Sequence, residues 1–115
     1  MAWLIRDDRV LASLEVPSGP RAKGRGLLGR DGLVGRDGMD GAMLLERTRS
    51  VHSFGMKFDL DIAFLDADGV VIRTMRLKRN RITLPVWGAR SVLEAEAGCF
   101  GSWDLHIGDE LSIRA

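Results

Sequence analysis

The stretch VHSFGMKFDLDIAFLDADGVVIRTM, residues 51–75, decides the fold class of this chain. Across residues 57–64, apolar side chains alternate with polar or small ones, which is the period of a β-strand with one apolar and one wet face. The segment DADG, residues 66–69, predicts a hairpin turn whose glycine takes a positive φ. Residues 70–77 then predict the returning strand of an antiparallel pair.

Two aspartates, Asp59 and Asp61, interrupt this apolar segment. A metal-dependent phosphoryl-transfer site also places acids on a strand, but there an apolar strand precedes the first acid and a loop follows it. Here Lys57 precedes the first acid and an apolar strand follows it. We therefore expect Asp59 on the wet face of a strand.

The remaining segments predict more strands than helices. Residues 2–16 read as two strands joined by a turn at Asp7-Asp8, and residues 42–46 as a buried strand. Residues 90–98 fit a strand or a helix. A short helix is predicted over Arg21–Leu28, capped by Ser18, and a last strand over Glu110–Arg114. The sum is a mainly β fold, a small β-sandwich or barrel-like domain with one or two short helices.

Length and charge restrict the classes of function. The chain has 115 residues, so we expect one domain over residues 1–115. Its 17 basic and 16 acidic residues leave a net charge of +1, which argues against a dedicated nucleic-acid or membrane-surface binder. The first residues do not resemble a signal peptide, and no apolar run approaches the ~20 residues of a membrane span. We therefore expect a cytoplasmic protein.

Several short motifs suggest sites that their context does not support. The pattern GRGLLG, residues 24–29, matches a dinucleotide-binding loop, but glycines at every third position follow it where a helix is required. DADG opens like a calcium loop but lacks the later acids. Cys99, His52 and His106 are scattered without ligand spacing. We expect no metal and no cofactor, and an inert Cys99.

A basic run follows the hairpin and has two interpretations. It contains five cations and no acid: Arg73, Arg76, Lys78, Arg79 and Arg81. Such a patch could meet a phosphate or an acidic partner. Charges on an edge strand that protect it from pairing explain the run equally well.

Four blocks of the chain, taken together, resemble a known family. They are RGLLGRDGL (25–33), SFGMKFDLDIAFLDADGVV (53–71), VLEAEAG (92–98) and IGDEL (107–111). In order and chemistry they resemble the bacterial and archaeal domain of unknown function 192 over about residues 20–112. The matching positions are Arg25, Gly26, Leu27, Met56, Lys57, Asp61, Glu94, Gly98, Gly108 and Asp109. Gly55 stands where the family has Trp, and Phe58-Asp59 where it has Asn-Thr.

The resemblance implies a small β-rich, sandwich-like fold and no established activity. It also leaves two interpretations of Asp61. The residue is a carboxylate in a ligand pocket, or it is a buried group that must be paired, because an unpaired buried charge is costly. Arg25 and Lys57 are the expected partners of Asp61.

Three functional hypotheses follow. The first is a non-enzymatic binding or accessory domain whose polar cleft takes a small ligand or a peptide segment of a protein partner, lined by Arg25, Met56, Lys57, Asp61 and Glu94. The second is a hydrolase with Asp61 and Glu94 as acid and base, and His52 as a further candidate. The third is a phosphate or nucleic-acid contact through the basic run, with steep salt dependence.

Overall fold

The computed structural model describes residues 2–19, 31–36 and 38–115. These residues form seven strands and one short helix. The strands are β1 (Ala2–Arg6), β2 (Arg9–Glu15), β3 (Gly41–Glu46), β4 (Leu60–Leu65), β5 (Val71–Leu77), β6 (Ser91–Glu96) and β7 (Ser112–Arg114), and the helix α1 is Cys99–Trp103. The helix predicted over Arg21–Leu28 lies outside the described residues.

All seven strands belong to one sheet, in the order β5-β4-β6-β3-β2-β1-β7. Neighbouring strands are antiparallel except β2 and β3, which run parallel. The mainly β single-domain fold is confirmed, but the barrel-like closure is wrong. Strands β5 and β7 remain the two ends of the sheet, and the bridge between Val70 and Glu110 joins them only at one corner.

The sheet curls around one of its faces. Side chains from β1 to β6 meet there in a single buried cluster that Phe100 and Trp103 of α1 complete. We call this side the helix face. The corner bridge at Val70 agrees with this curvature, because it brings the two ends of the sheet together.

The opposite side of the sheet is covered by loops, and we call it the loop face. Side chains of β3 to β6 pack there against Leu33, Val51, Met56, Val86 and Ala89, which come from the connecting segments. Burying aliphatic side chains on both sides supplies the stability of the fold, at roughly 25 cal/mol per Å² of apolar surface.

The strand pair that decided the fold class is confirmed with two corrections. Strand β4 begins at Leu60 rather than at residue 57, and all six of its residues are buried, so it has no wet face. The hairpin turn is as predicted: the N–H of Gly69 donates to the carbonyl of Asp66 (3.1 Å), and Gly69 has φ +81°. Helix α1 covers one face of β4 and the loops cover the other, which alternation within β4 could not show.

Three further segments complete the comparison with the sequence. Residues 90–98, which fitted either structure, contain strand β6, and the last strand starts at Ser112 instead of Glu110. Helix α1 was not predicted. It is only five residues long and contains Gly101, so propensity and periodicity carry no signal for it.

Candidate functional site

Glu94 places a carboxyl group inside the loop face. It lies in β6 directly opposite Met43 of β3 and Ile62 of β4, and directly opposed residues project from the same face of a sheet. Met43 and Ile62 are 2 % and 0 % exposed, and Glu94 itself is 5 % exposed. The carboxyl is thus held between a thioether and an aliphatic side chain in the middle of the sheet.

The Glu94 carboxyl has no compensating partner in the described part of the chain. Neither a hydrogen-bond donor nor a cation bonds to it there. Burial raises the pKa of Glu94 from 4.5 to about 7, because the charged form loses its hydration. At neutral pH the group is therefore divided between its protonated and ionised forms.

The connecting segments bring other polar groups to the same face. Glu96 lies two residues beyond Glu94 in β6, so both side chains project from the loop face. The Glu96 carboxylate accepts the N–H of Leu33 at 3.4 Å. Met56, which was predicted for the site, is buried in the same cluster as Met43. Lys57 follows it but is exposed, and its amine pairs with Asp31 at 3.4 Å.

Asp61 lies on the helix face, opposite to Glu94. It pairs in register with Ala95, one residue from the Ile62–Glu94 pair, and successive residues of a strand project from opposite faces. Asp61 Oδ2 accepts the N–H of Gly98 (2.9 Å) and the N–H of Phe100 (3.1 Å) at the start of α1. Asp61 Oδ1 accepts from Arg76 Nε at 3.2 Å.

Of the two predicted partners of Asp61, Lys57 is the one that the structure describes, and the prediction for it is wrong. Lys57 pairs with Asp31 instead, and Arg25 lies outside the described residues, so its place in a cleft stays a prediction. The structure brings Met56 and Glu94 to one face of the sheet and Asp61 to the other. Two carboxyls on opposite faces cannot act as acid and base on one bond, so the geometry does not support the hydrolase hypothesis.

Asp59 also has a structural role. It lies before β4 and is half-buried rather than fully solvated. Its Oδ1 accepts the N–H of Arg79 at 2.9 Å, and its carbonyl accepts the N–H of Ala97 at 3.0 Å. Asp59 thus anchors the turn after β5 to the end of β6.

The basic run does not form one continuous patch. In the edge strand β5, Arg73 pairs with Phe64 on the loop face and Arg76 pairs with Asp61 on the helix face. The remaining three cations, Lys78, Arg79 and Arg81, are exposed around the turn that follows β5. This division agrees with edge protection, and a phosphate contact stays a prediction.

Cys99 and the two histidines do not form a metal or nucleophile site within the described ranges, where no group of three or more His, Cys, Asp or Glu residues could hold a metal ion. Burial, followed by the charges of Asp40, Glu96 and Asp61, raises the pKa of the Cys99 thiol to about 11. A thiol with that pKa stays protonated at neutral pH and is a poor nucleophile.

A family model matches nearly the whole chain. The family is DUF192, described as "Uncharacterized ACR", and the match covers residues 3–113. This chain belongs to the DUF192 family. The resemblance seen in the sequence over residues 20–112 is confirmed, and the family match extends it through β1 and most of β7.

A curated relative of this DUF192 chain is a UPF0127 protein of Thermococcus sibiricus (strain DSM 12597 / MM 739). It is 32 % identical over 62 residues, which are 54 % of this chain. The match spans 40 % of the relative's own length. The relative's name states no activity.

Two solved structures share the DUF192 fold described above. A protein of unknown function from Novosphingobium aromaticivorans DSM 12444 is 19 % identical, with a TM-score of 0.73 over 96 % of this chain and 82 % of the other. A protein from Sinorhizobium meliloti 1021, provisionally described as a transcription regulator, is 23 % identical, with a TM-score of 0.74 over 96 % and 90 %. Similarity at this level shows the fold alone.

No specific function follows from these comparisons, and nothing in them supports the hydrolase hypothesis. In the parts of the DUF192 chain that the structure describes, the helix falls short of the length and hydropathy needed to cross a bilayer.

Proposed function

We propose that this DUF192 chain is a non-enzymatic binding domain that takes a small cationic ligand, an amine or a guanidinium, against the carboxylate of Glu94. The observation that carries the proposal is a carboxyl 5 % exposed and without a bonding partner among the described residues. Such a group destabilises the fold in its ionised form unless a cation or donor compensates it. A bound amine supplies that compensation.

The surroundings of Glu94 favour a ligand with an apolar body. Met43, Ile62 and Met56 line the same face and offer aliphatic and thioether contacts. Thioethers adapt to irregular shapes, so a pair of methionines can rearrange around a flexible alkyl chain. The expected ligand therefore carries a positive charge at one end of a short aliphatic stem, as a primary amine or a basic amino-acid side chain does.

Binding is favoured over catalysis because the second carboxyl predicted for the site lies on the other side of the sheet. Asp61 is fully engaged with α1 and Arg76, and its bonds are those of an architectural group. A cytoplasmic location, expected from the sequence, belongs to the same proposal and is checked by cell fractionation with an antibody against the chain.

The test is a titration with n-butylamine, agmatine, L-lysine amide and L-arginine amide, followed by calorimetry in buffers of different ionisation enthalpy. We expect at least one probe to bind the wild type, and to bind more tightly at pH 8 than at pH 6. The bound cation favours the ionised carboxylate, so binding releases a proton. Glu94→Gln removes the charge and should weaken binding by about tenfold or more.

Glu96→Gln is the matched control, because it removes a carboxylate from the same face two residues away and should retain most of the binding. Loss of binding in Glu94→Gln cannot be attributed to unfolding, since that variant is expected to be the more stable protein above pH 7. Equal binding of a probe by Glu94→Gln and wild type, or failure of all four probes to bind, would contradict the proposal.

A further inference from the structure

A two-stranded ribbon of irregular backbone projects apolar side chains into solvent. Residues 49–53 and 81–86 run antiparallel and are joined by two backbone hydrogen bonds. The N–H of Thr83 donates to the carbonyl of Val51 (2.9 Å), and the N–H of Ser53 donates to the carbonyl of Arg81 (2.8 Å). Thr83 and Val51 face inward and are buried. The side chains between them face outward, so the ribbon has a dry face on the domain and an exposed one.

The exposed face of the ribbon is unusually apolar. Ile82 is 65 % exposed, Leu84 84 %, and Phe54, just beyond the ribbon's first segment, 50 %. The ring of Phe54 stacks on His52, whose backbone bridges to Ile82 across the ribbon. Single exposed apolar residues are normal, but several on one element mark an interaction surface.

A rigid turn at the end of the ribbon presents Trp87, which is 90 % exposed. The N–H of Ala89 donates to the carbonyl of Val86 (3.2 Å), and Gly88 supplies the positive φ of +87° that this turn needs. Arg49 holds both ends: its carbonyl accepts from Val86 N at 3.1 Å, and its Nε donates to the carbonyl of Ala89 at 3.3 Å. The turn is thus fixed before any partner binds, which lowers the entropy lost on binding.

A cationic cavity adjoins this turn. It has a volume of about 480 Å³ and is lined by Arg47, Arg49, Ala67, Ala89 and Arg90. Three of these described lining residues carry a guanidinium group and none carries a carboxylate. Because Ala89 lines the cavity and also closes the turn, the cavity and Trp87 belong to one surface. We call the combination of ribbon, turn and cavity the Trp87 surface.

The charge of two of the three chain segments that build this surface is one-sided. Residues 47–58 contain three Lys or Arg, and residues 69–93 contain six, whereas neither segment contains an Asp or Glu. The whole chain has a net charge of only +1, so the acids are concentrated elsewhere. The third segment contributes Ala67, which lies between Asp66 and Asp68. The positive charge that favours an anionic partner is therefore that of the guanidinium groups of Arg47, Arg49 and Arg90 around the cavity.

We propose that the Trp87 surface docks an extended acidic segment of a partner protein. One carboxylate of the segment enters the arginine cavity, where the planar guanidinium groups can bind it in bidentate fashion. A neighbouring apolar side chain packs on Trp87 and Leu84. Trp and Arg are the residue types that most often carry the binding energy of protein interfaces, and both are presented here on a fixed turn.

Other anionic partners match the Trp87 surface less well. Bases of a single-stranded nucleic acid would stack on Trp87 but would leave the aliphatic side chains of Leu84 and Ile82 without partners. An anionic bilayer would reach the protruding side chains but would not fill a concave cavity beside them. An extended acidic peptide can pair with the arginines, place a side chain in the cavity and pack on the aliphatic side chains at the same time.

The test uses four probes and the emission of Trp87. The probes are a short peptide that alternates Asp or Glu with Leu or Phe, its Asn/Gln counterpart, a short oligo-dT, and vesicles of equal parts phosphatidylglycerol and phosphatidylcholine. We expect the acidic peptide to shift the emission of the wild type and to bind below about 1 mM, more weakly at high salt. Binding of the peptide to Trp87→Ala and to Arg47→Glu is measured by isotope-edited NMR of the peptide. Each substitution should weaken binding about tenfold.

A matched control comes from outside the ribbon, the turn and the cavity. Val34→Ala removes another apolar side chain, 89 % exposed, and should leave the affinity unchanged. Equal binding of the Asn/Gln peptide, tighter binding of oligo-dT or of the vesicles, or no binding of the acidic peptide at about 1 mM would each overturn the proposal. None of these results bears on the Glu94 site, which lies inside the loop face and takes a cation.

Discussion

The carboxylate of Asp61 and the N–H of Gly98 lie 2.9 Å apart, although the two residues are 37 positions apart in the chain. Gly98 is the N-cap residue of α1 and has no side chain with which to cap it. Asp61 supplies the missing acceptor from strand β4 and also accepts the N–H of Phe100. A strand residue therefore caps the helix, and its negative charge lies at the positive end of the helix dipole.

Removing this cap should destabilise the fold. Asp61→Ala leaves the N–H groups of Gly98 and Phe100 without acceptors, and hydrogen bonds to a charged group contribute about 1.5–3 kcal/mol. We expect a loss of about 3 kcal/mol in the free energy of unfolding, measured by urea denaturation. Asp61→Asn keeps one oxygen acceptor and should lose about half as much.

The ion pair with Arg76 should contribute far less than the cap. The Arg76 side chain is 56 % exposed and contacts Asp61 through Nε alone. Arg76→Ala should therefore cost less than about 1 kcal/mol, as exposed pairs do. An equal cost for Arg76→Ala and Asp61→Ala would mean that the ion pair, and not the capping of α1, is the main contribution of Asp61.

The other end of α1 should depend on Arg6 in the same way. Its guanidinium donates to the carbonyls of Trp103 (2.7 Å) and Asp104 (3.1 Å) and pairs with Asp109 at 3.0 Å. A cation at the C-terminal end of a helix opposes the negative end of the dipole. We expect Arg6→Met to cost about 2 kcal/mol and to speed hydrogen exchange at the Leu105 amide, which bonds to the Phe100 carbonyl.

Arg6→Lys and Arg9→Met separate the causes of that loss. Lysine keeps the charge but cannot bond to several carbonyls in a planar arrangement, so Arg6→Lys should be intermediate. Arg9 lies on the same hairpin but is exposed, and Arg9→Met should change the free energy of unfolding by less than about 0.5 kcal/mol. Unchanged exchange at Leu105 in Arg6→Met would show that Arg6 does not secure the end of α1.

Glu94 should make the stability of the domain depend on pH. Its pKa is about 7 in the folded chain against 4.5 for an unperturbed glutamate. Between these values the unfolded chain releases a proton that the folded chain retains, so stability falls as the pH rises from about 4.5 to 7. The total loss above pH 7 is roughly 3 kcal/mol.

Glu94→Gln should abolish most of this fall, because its side chain has no proton to lose. We expect the variant and the wild type to have similar unfolding free energies near pH 4, and the variant to be more stable at pH 8. Urea titrations at several pH values between these limits measure the difference. A wild type that is equally stable at pH 5 and pH 8 would show that the Glu94 carboxyl is compensated in the folded state.

Gly69 should not tolerate a side chain. It has φ +81°, and a Cβ there would lie 2.4 Å from the carbonyl oxygen of Leu111, a backbone atom that cannot turn aside. The N–H of Leu111 also donates to the Gly69 carbonyl at 2.9 Å, so this contact holds the corner where the two sheet ends meet. Gly69→Ala should cost about 3 kcal/mol or more, measured by thermal unfolding.

Gly38→Ala is the control for this substitution. Gly38 has a similar φ of +75°, but no atom of the described residues lies within 4 Å of its Cβ position, so Gly38→Ala shows only the backbone strain of about 1–2 kcal/mol. The difference between the two variants isolates the contact with Leu111. A difference near zero would mean that the corner of the sheet moves without cost.

Several elements of the fold could be predicted because their signals are local. An apolar run at residues 2–5 and alternation over residues 10–16 predicted the first two strands. The DADG segment predicted the turn between β4 and β5, where Gly69 adopts its positive φ. These features depend on side chains and dihedral angles only a few residues apart. The family resemblance likewise depended on local blocks of sequence and is confirmed.

The environment of each acid is determined by residues distant in the sequence, so local patterns could not predict it. Alternation suggested a wet face for β4, yet the curled sheet with α1 covers one side and distant loops cover the other. No pattern in residues 57–64 encodes which segment lies above them. The exposure of Trp87 likewise could not be predicted from the residues around it. It depends on a turn held by Arg49, which lies 38 positions away in the chain.

The sequence by itself determined a mainly β domain, its hairpin at residues 66–69 and its membership of a family, because period, turn residues and motif blocks are short-range properties of the chain. Only the tertiary structure decided that Asp61 caps a helix while Glu94 lies on the opposite face, without a bonding partner among the described residues. Those roles depend on strand register and on contacts 37 or more residues apart, and a shift of register by one residue would exchange the two faces.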